Sequence, residues 1–236
     1  MTLKPTRNAE RQAPNQRILS EDTLQLVPRG LTKLHSLWMS WTYPFASDVH
    51  RLSVHYSCDL PRSIAHRIKL GNSVQIRKDT IIEIIPPPEQ EGDPHIIIDD
   101  DTCVGPRCWV SAKNYIHIER DVIIAQSVRI VDHGPTHRNG ALAISEPGVS
   151  GGRIRIGEGS WIGQGAAIVC THGELVLGRN CVVASNAVVT ESVPAHSVIF
   201  GNPGRVVRQF DPAKKKWVVG AVQPAEPGVK TVGPPK

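Results

Sequence analysis

The sequence predicts an all-β fold in which short parallel strands wind into a narrow coil. Two observations lead there. An Ile, Val or Leu returns every six residues with a small or short residue behind it. Ile156-Gly157, Ile162-Gly163 and Ile168-Val169 run in one frame, and Leu177-Gly178, Val183-Ala184 and Val189-Thr190 restart it. A period of six suits neither a helix nor a two-sided strand, but it suits a solenoid in which each hexad makes one face and three faces close a coil. The second observation is composition. Aromatic residues are only 5% of the 236, too few for a core of large side chains but enough for a slim interior of Ile, Val, Ala and Cys.

Each segment follows from this frame. Residues 1–30 are polar and aperiodic, an arm without a core of its own. Residues 31–66 carry Leu34, Leu37, Trp38, Trp41, Tyr43 and Phe45, enough for a short helix and a cap. A solenoid end left bare would expose an apolar cross-section and open strand edges, so 1–66 is read as an N-terminal arm and capping region. Residues 67–210 hold the hexads. The frame starts at Leu70-Gly71 and Ile76-Arg77 and pauses at Pro86-Pro87-Pro88, where three prolines cannot donate ladder hydrogen bonds and an outward loop is expected. It resumes at Ile98, Val104 and Val110, then at Ile118, Ile124 and Ile130. A long break from Asp132 to Gly152 predicts a protruding loop, and two further coils begin at Ile156 and Leu177. The count is about five coils of roughly 18 residues each. Residues 211–236, with Lys214–Lys216 and a Pro/Gly-rich end, read as a mobile tail.

Charge and cysteine usage exclude some functions. The net charge of +5 sits at the ends, and residues 31–210 are neutral. A basic tail on a neutral domain does not make a nucleic-acid protein. The five cysteines form no CxxC pair. Cys108 and Cys181 fall where other hexads carry small inward residues, so they are expected to be buried thiols. An odd count without a leader favours a reducing cytoplasm. The apolar stretch Leu31–Phe45 is interrupted by Lys33, His35 and Pro44 and is too short to span a bilayer.

The hexads, the Ser160-Trp161-Ile162-Gly163 stretch and the closing Gly201-Asn202-Pro203-Gly204-Arg205-Val206 resemble the hexapeptide-repeat acyltransferases. The nearest branch is that of the maltose/galactoside and surface-polysaccharide O-acetyltransferases, and the resemblance covers about residues 65–210. It implies a left-handed parallel β-helix, although parallel crossovers are otherwise overwhelmingly right-handed. It also implies a homotrimer with active sites between subunits and acetyl-CoA as donor. The acceptor would be a sugar hydroxyl, in surface polysaccharide biosynthesis, with no metal involved.

Acetyl transfer to a hydroxyl needs a base, and a neutral imidazole suits the task. The long break supplies Asp132, His133 and His137. Relatives often show Asp-His-x-His there; here Gly-Pro-Thr separates the histidines. Either His137 or His133 can be the base, with Asp132 in support. Trp161 would stand beside the acceptor, joined by Arg138 and Asn139 from the loop. The small residues Gly163, Ala184 and Ser185 would let the pantetheine arm approach backbone amides, with Gln164 also assigned to the donor site. Thr190 matches a position near the adenine, and Arg205 and Arg208 match residues that meet CoA phosphates. Two departures stand out: Glu191 replaces a frequent basic residue, and Gly105 replaces a polar acceptor contact. Two rival readings are a γ-carbonic-anhydrase-like hydratase, for which His133, His137 and His172 would be the metal ligands, and a non-catalytic scaffold. N-acetylation stays open beside O-acetylation.

Overall fold

The computed structural model describes residues 23–86, 92–136, 148–211 and 213–219. The chain enters through helix α1 (Thr23–Thr42) and strand β1 (Ser53–Val54), and a 3-10 turn at Arg62–Arg67 leads into the coil. Five coils of three strands follow. The first holds β2 (Ile68–Leu70), β3 (Gln75–Ile76) and β4 (Ile81–Ile84), and the second β5 (Ile96–Ile98), β6 (Cys103–Val104) and β7 (Trp109–Ala112). The third holds β8 (Tyr115–Ile118), β9 (Ile123–Ile124) and β10 (Arg129–Val131). A hairpin, β11 (His133–Pro135) and β12 (Val149–Gly151), then leaves the coil. The fourth coil is β13 (Arg153–Ile156), β14 (Trp161–Ile162) and β15 (Ala167–Val169), and the fifth β16 (Glu174–Leu177), β17 (Val182–Val183) and β18 (Val188–Val189). The chain ends with β19 (Ser197–Phe200), β20 (Arg205–Asp211) and β21 (Lys216–Val219).

Corresponding strands stack in parallel into three faces. The first face runs β2-β5-β8-β13-β16, the second β1-β3-β6-β9-β14-β17-β19, and the third β4-β7-β10-β15-β18. This is a parallel β-helix of about five coils, as the hexads predict, and the resemblance implies its left-handed winding. Ile stacks on Ile in register, as in Ile116 on Ile154 and Ile130 on Ile168.

The six-residue beat has a direct physical cause. On the second and third faces each strand sends one aliphatic side chain inward, and the residue two before it also points in. Val122 and Ile124, Ser160 and Ile162, and Cys181 and Val183 are all buried. Most inward polar residues find partners: Thr80 donates to the Gly105 carbonyl at 2.9 Å and Thr102 to the Glu119 carbonyl at 2.9 Å, whereas the buried Ser197 hydroxyl has none among the described residues. Just before each inward small residue the chain turns through a left-handed conformation. Ser73, Asp79, Asp101, Arg107, Asp121, Ser127, Gly159, Gly165, Asn180 and Asn186 all have φ between 53° and 69°. Asp, Asn, Ser and Gly tolerate that region best, which is why they recur there. These residues make two of the three corners of every coil. The third corner, between the third and first faces, has no such rule, and the hairpin leaves from it.

Cys108 and Cys181 are buried as expected, and burial pushes each thiol up to about 11. They should resist a thiol reagent at pH 8 in the folded chain and react after unfolding. The folded state holds these protons more tightly than the unfolded chain. Stability should therefore fall as pH rises from about 9, where an ordinary thiol ionises, to about 11. A pH series of denaturant melts measures this.

Both ends of the stack are closed. Helix α1 lies over the open edge of β1, where Ser36 Oγ accepts the Val54 N–H at 2.9 Å and Met39 is buried. Its outer side leaves Leu34 exposed, along with Trp41 at 82%. At the far end β20 and β21 add antiparallel strands to the second face. Two boundaries therefore move. The first strand of the coil is Ser53–Val54, ahead of residue 67, because one isolated unit gives no period to read. The segment assigned to a tail contributes β21, and Trp217 meets Phe210 edge-on with ring centroids 5.6 Å apart. Among the described residues no helix is long and apolar enough to cross a membrane.

Candidate active site

The hairpin's foot is built around Asp132, which is 0% exposed. Its carboxylate accepts three backbone N–H groups from the coil before: Lys113 at 2.5 Å, Asn114 at 2.8 Å and Tyr115 at 2.7 Å. Its carbonyl accepts the Gly152 N–H at 2.6 Å. One residue thus fixes the irregular third corner of two coils and draws the ends of the hairpin together. Sequence reading assigned Asp132 to a histidine alone. The bonds to 113–115 are the larger part of its structural role.

His133 follows, its side chain 12% exposed and its Nδ1 3.3 Å from Asp132 Oδ1. A carboxylate can only accept, so Nδ1 carries the hydrogen and Nε2 keeps its lone pair. The strand pairing of His133 with Gly151 and Pro135 with Val149 holds the ring's backbone on the hairpin. A Cβ on Gly134 would lie 2.8 Å from Thr171 Cγ2, a side-chain atom that would have to move aside. His137, Arg138 and Asn139 lie outside the described residues. Among the described residues no three His, Cys, Asp or Glu side chains stand together as metal ligands.

Trp161 is on β14, 45% exposed on the second face. Gly163 and Gln164 form the next corner, directly stacked on Ala184 and Ser185 of the fifth coil. The Gly163 N–H donates to Val183 O at 2.8 Å and the Ala184 N–H to Ile199 O at 2.9 Å. These two N–H groups serve the stacking of the coils. Gln164 and Ser185 are exposed beside them, whereas Thr190, which follows β18, is exposed at the far end of the third face. Gly204 docks on the same corner through its N–H to Val188 O at 2.7 Å, which brings exposed Arg205 alongside. Arg208 is exposed in the middle of β20.

Gly163 is small for a packing reason. A Cβ there would sit 2.6 Å from Ser185 N and 2.7 Å from Val183 O, both backbone. Gly163→Ala should destabilise the coil by about 1–3 kcal/mol, an overpacking cost, read as a lowered melting temperature with or without CoA present.

Within one chain the candidate residues divide into two groups. His133 is at the corner between the third and first faces, where Thr190 also follows the third-face strand β18. Trp161 is on the second face, and Gly163, Gln164, Ala184 and Ser185 are at the corner between the second and third. The signal for the Asp132 clamp was present in the sequence as an interval: residues 113–115 precede it by one coil.

No family model matches the chain. Among characterised sequences it is 26% identical over 123 residues to WbbJ of Escherichia coli, named for O-acetyl transfer in lipopolysaccharide biosynthesis; the match covers 46% of this chain and 61% of that one. It is 32% identical over 111 residues to Rv3034c of Mycobacterium tuberculosis, named as an acetyltransferase, covering 47% of this chain and 35% of that one. The match thus spans less than two thirds of either relative. Among solved structures, the N-acyltransferase AntD of Bacillus cereus with dTDP and 3-hydroxybutyryl-CoA aligns at a TM-score of 0.57 and 15% identity, covering 70% of this chain and 82% of that one. A variant of AntD with dTDP-4-amino-4,6-dideoxyglucose and Coenzyme A aligns at 0.61 and 15% identity, covering 73% and 87%.

Proposed function

The chain fits the hexapeptide-repeat acyltransferases in sequence likeness and in coil, and on that footing we propose that it moves an acetyl group from acetyl-CoA to a sugar hydroxyl. The observation that carries this reading is the hairpin of β11 and β12, whose foot holds His133 against a buried carboxylate. His133 is the base in this reading. Nε2 takes the proton as the hydroxyl oxygen attacks the thioester carbonyl; the C–S bond then breaks and the same proton passes to the departing thiolate. Asp132 holds the tautomer and balances the imidazolium between those two transfers.

The division of the residues into two groups supports a homotrimer. A coil triangular in section cannot bring two of its own corners to one point, but a neighbouring copy can bring its hairpin to the Trp161 face. Gln164, Ser185, Thr190, Arg205 and Arg208 would hold the donor through side chains rather than through the stacked amides. WbbJ carries a name from lipopolysaccharide synthesis, which favours a surface polysaccharide precursor as acceptor. Acetyl-CoA and such precursors meet in the cytoplasm.

The test is thiol release from acetyl-CoA across a panel of nucleotide sugars and oligosaccharides. Release that depends on one acceptor is the expected result. If no sugar gives release and calorimetry finds no acetyl-CoA binding, the chain is a scaffold. Sedimentation analysis at low micromolar concentration should return three chains per particle.

A further inference from the structure

The apolar stripe of helix α1 faces away from the coil. Val27, Leu31, Leu34, Leu37, Trp38 and Trp41 are all exposed. Their spacing by threes and fours places them within about a third of the helix circumference. The side that meets the coil is more polar. Ser36 and Met39 are buried there, and His35 Nδ1 stands 3.3 Å from the Val54 carbonyl oxygen. A surface helix normally does the reverse and turns its apolar stripe to the core. Two bonds hold this orientation. Ser36 Oγ accepts the Val54 N–H at 2.9 Å, and Arg62 Nε donates to the carbonyl of Thr42, the last residue of α1, at 2.9 Å. Rolling the stripe inward would break both.

The charges are distributed to match. Residues 23–47 contain no Asp or Glu, while exposed Arg29 and Lys33 run along one side of the stripe. Residues 23–80 carry eight Lys/Arg against Asp48, Asp59 and Asp79, whereas residues 81–210 carry ten against fourteen Asp/Glu. The end of the coil that bears α1 is thus basic and the remainder acidic. Such a separation turns the helix toward a negatively charged surface. Trp38 and Trp41 are side chains of the kind that settle where water meets lipid. A second copy of α1 is a poor match for the stripe. It would bring cations together with no carboxylate on either helix to pair them. A convex stripe about 20 Å long suits a flat, yielding surface instead.

We propose that α1 docks this chain on the surface of an anionic bilayer. The stripe enters the boundary between headgroups and acyl chains, and Arg29 and Lys33 lie among the lipid phosphates. The helix lies on the membrane and does not cross it. This docking stands independently of the acetyltransferase reading. The test is co-sedimentation of the full chain with vesicles of phosphatidylcholine alone and of phosphatidylcholine mixed with phosphatidylglycerol. It is repeated on a Leu34→Ser/Trp41→Ser double variant. Both positions are exposed, and a melt of the variant checks that it folds. The parent should bind the mixed vesicles at least about tenfold tighter than the neutral ones. The variant should lose about tenfold or more of that affinity, the size expected when two large apolar side chains leave the interface. Brominated acyl chains should quench tryptophan emission from the bound parent.

Equal binding of parent and variant to the mixed vesicles would overturn the proposal, as would a parent that does not bind them or binds neutral vesicles as tightly. Binding without quenching would mean adsorption by charge alone and would also overturn it. So would a variant that forms a smaller particle than the parent in lipid-free sedimentation, which would give the stripe to a contact between copies. A chain that binds vesicles through the stripe yet never releases thiol keeps the docking surface and loses the transfer reading. Thiol release without vesicle binding does the reverse.

Discussion

Replacing His133 with alanine should slow acetyl transfer by about two to four orders of magnitude, the usual worth of a positioned base, a loss larger than any fall in the melting temperature accounts for. The side chain is 12% exposed and bonded to Asp132 at 3.3 Å, so a melt of the variant is run beside the assay to separate lost packing from the lost base. His133→Ala and His137→Ala should be assayed side by side for free CoA release at saturating donor. If His133→Ala keeps full turnover and His137→Ala loses it, the base lies in the segment 137–147 and the role given to the hairpin foot is wrong. A loss confined to KM would make His133 a binding group.

Asp132→Ala should act on the fold as well as on the rate. The substitution leaves three part-buried N–H groups without their acceptor, at about 1–3 kcal/mol for each that water does not reach. A net loss of roughly 3–5 kcal/mol is expected, as for removing one side of a buried charged network. That corresponds to a melting temperature lowered by roughly 10 °C in a chain of this size. Asp132→Asn should fall between, because its amide keeps one acceptor oxygen but points two donors at other donors. Thermal melts of the three proteins decide it: a parent-like melt for Asp132→Ala would mean that the corner stands without the carboxylate.

The strands were legible because an aliphatic anchor and a small inward residue recur together, as in Val122 with Ile124. Several corners were legible in retrospect from Asp79, Asp101, Asp121, Asn180 and Asn186, whose side chains tolerate positive φ. Arg107 takes the same conformation with no such preference, and only its place in the frame dictates it. β1 was hidden because a single two-residue strand has no period. β21 was hidden because Lys214–Lys216 dominates the composition there, while Trp217 holds the strand through Phe210.

The site was legible by location rather than by detail. The interruption after Ile130 pointed to Asp132 and His133. What the interruption could not show is which backbone groups the carboxylate meets, since that depends on the neighbouring coil. Gly163 was legible as small but not why: the place of a Cβ is filled by the backbone of the next coil at residues 183–185.

The left-handed corners make the coil a counted object. Each one fixes where the next inward pair must fall, so deleting one residue between Asp101 and Arg107 would turn an aliphatic side chain outward and misalign every strand above it. Removing a whole coil would return each strand to an equivalent neighbour. Chains of this kind should therefore vary in length by complete coils, and variation in smaller steps should collect at the third corner, where no residue keeps count.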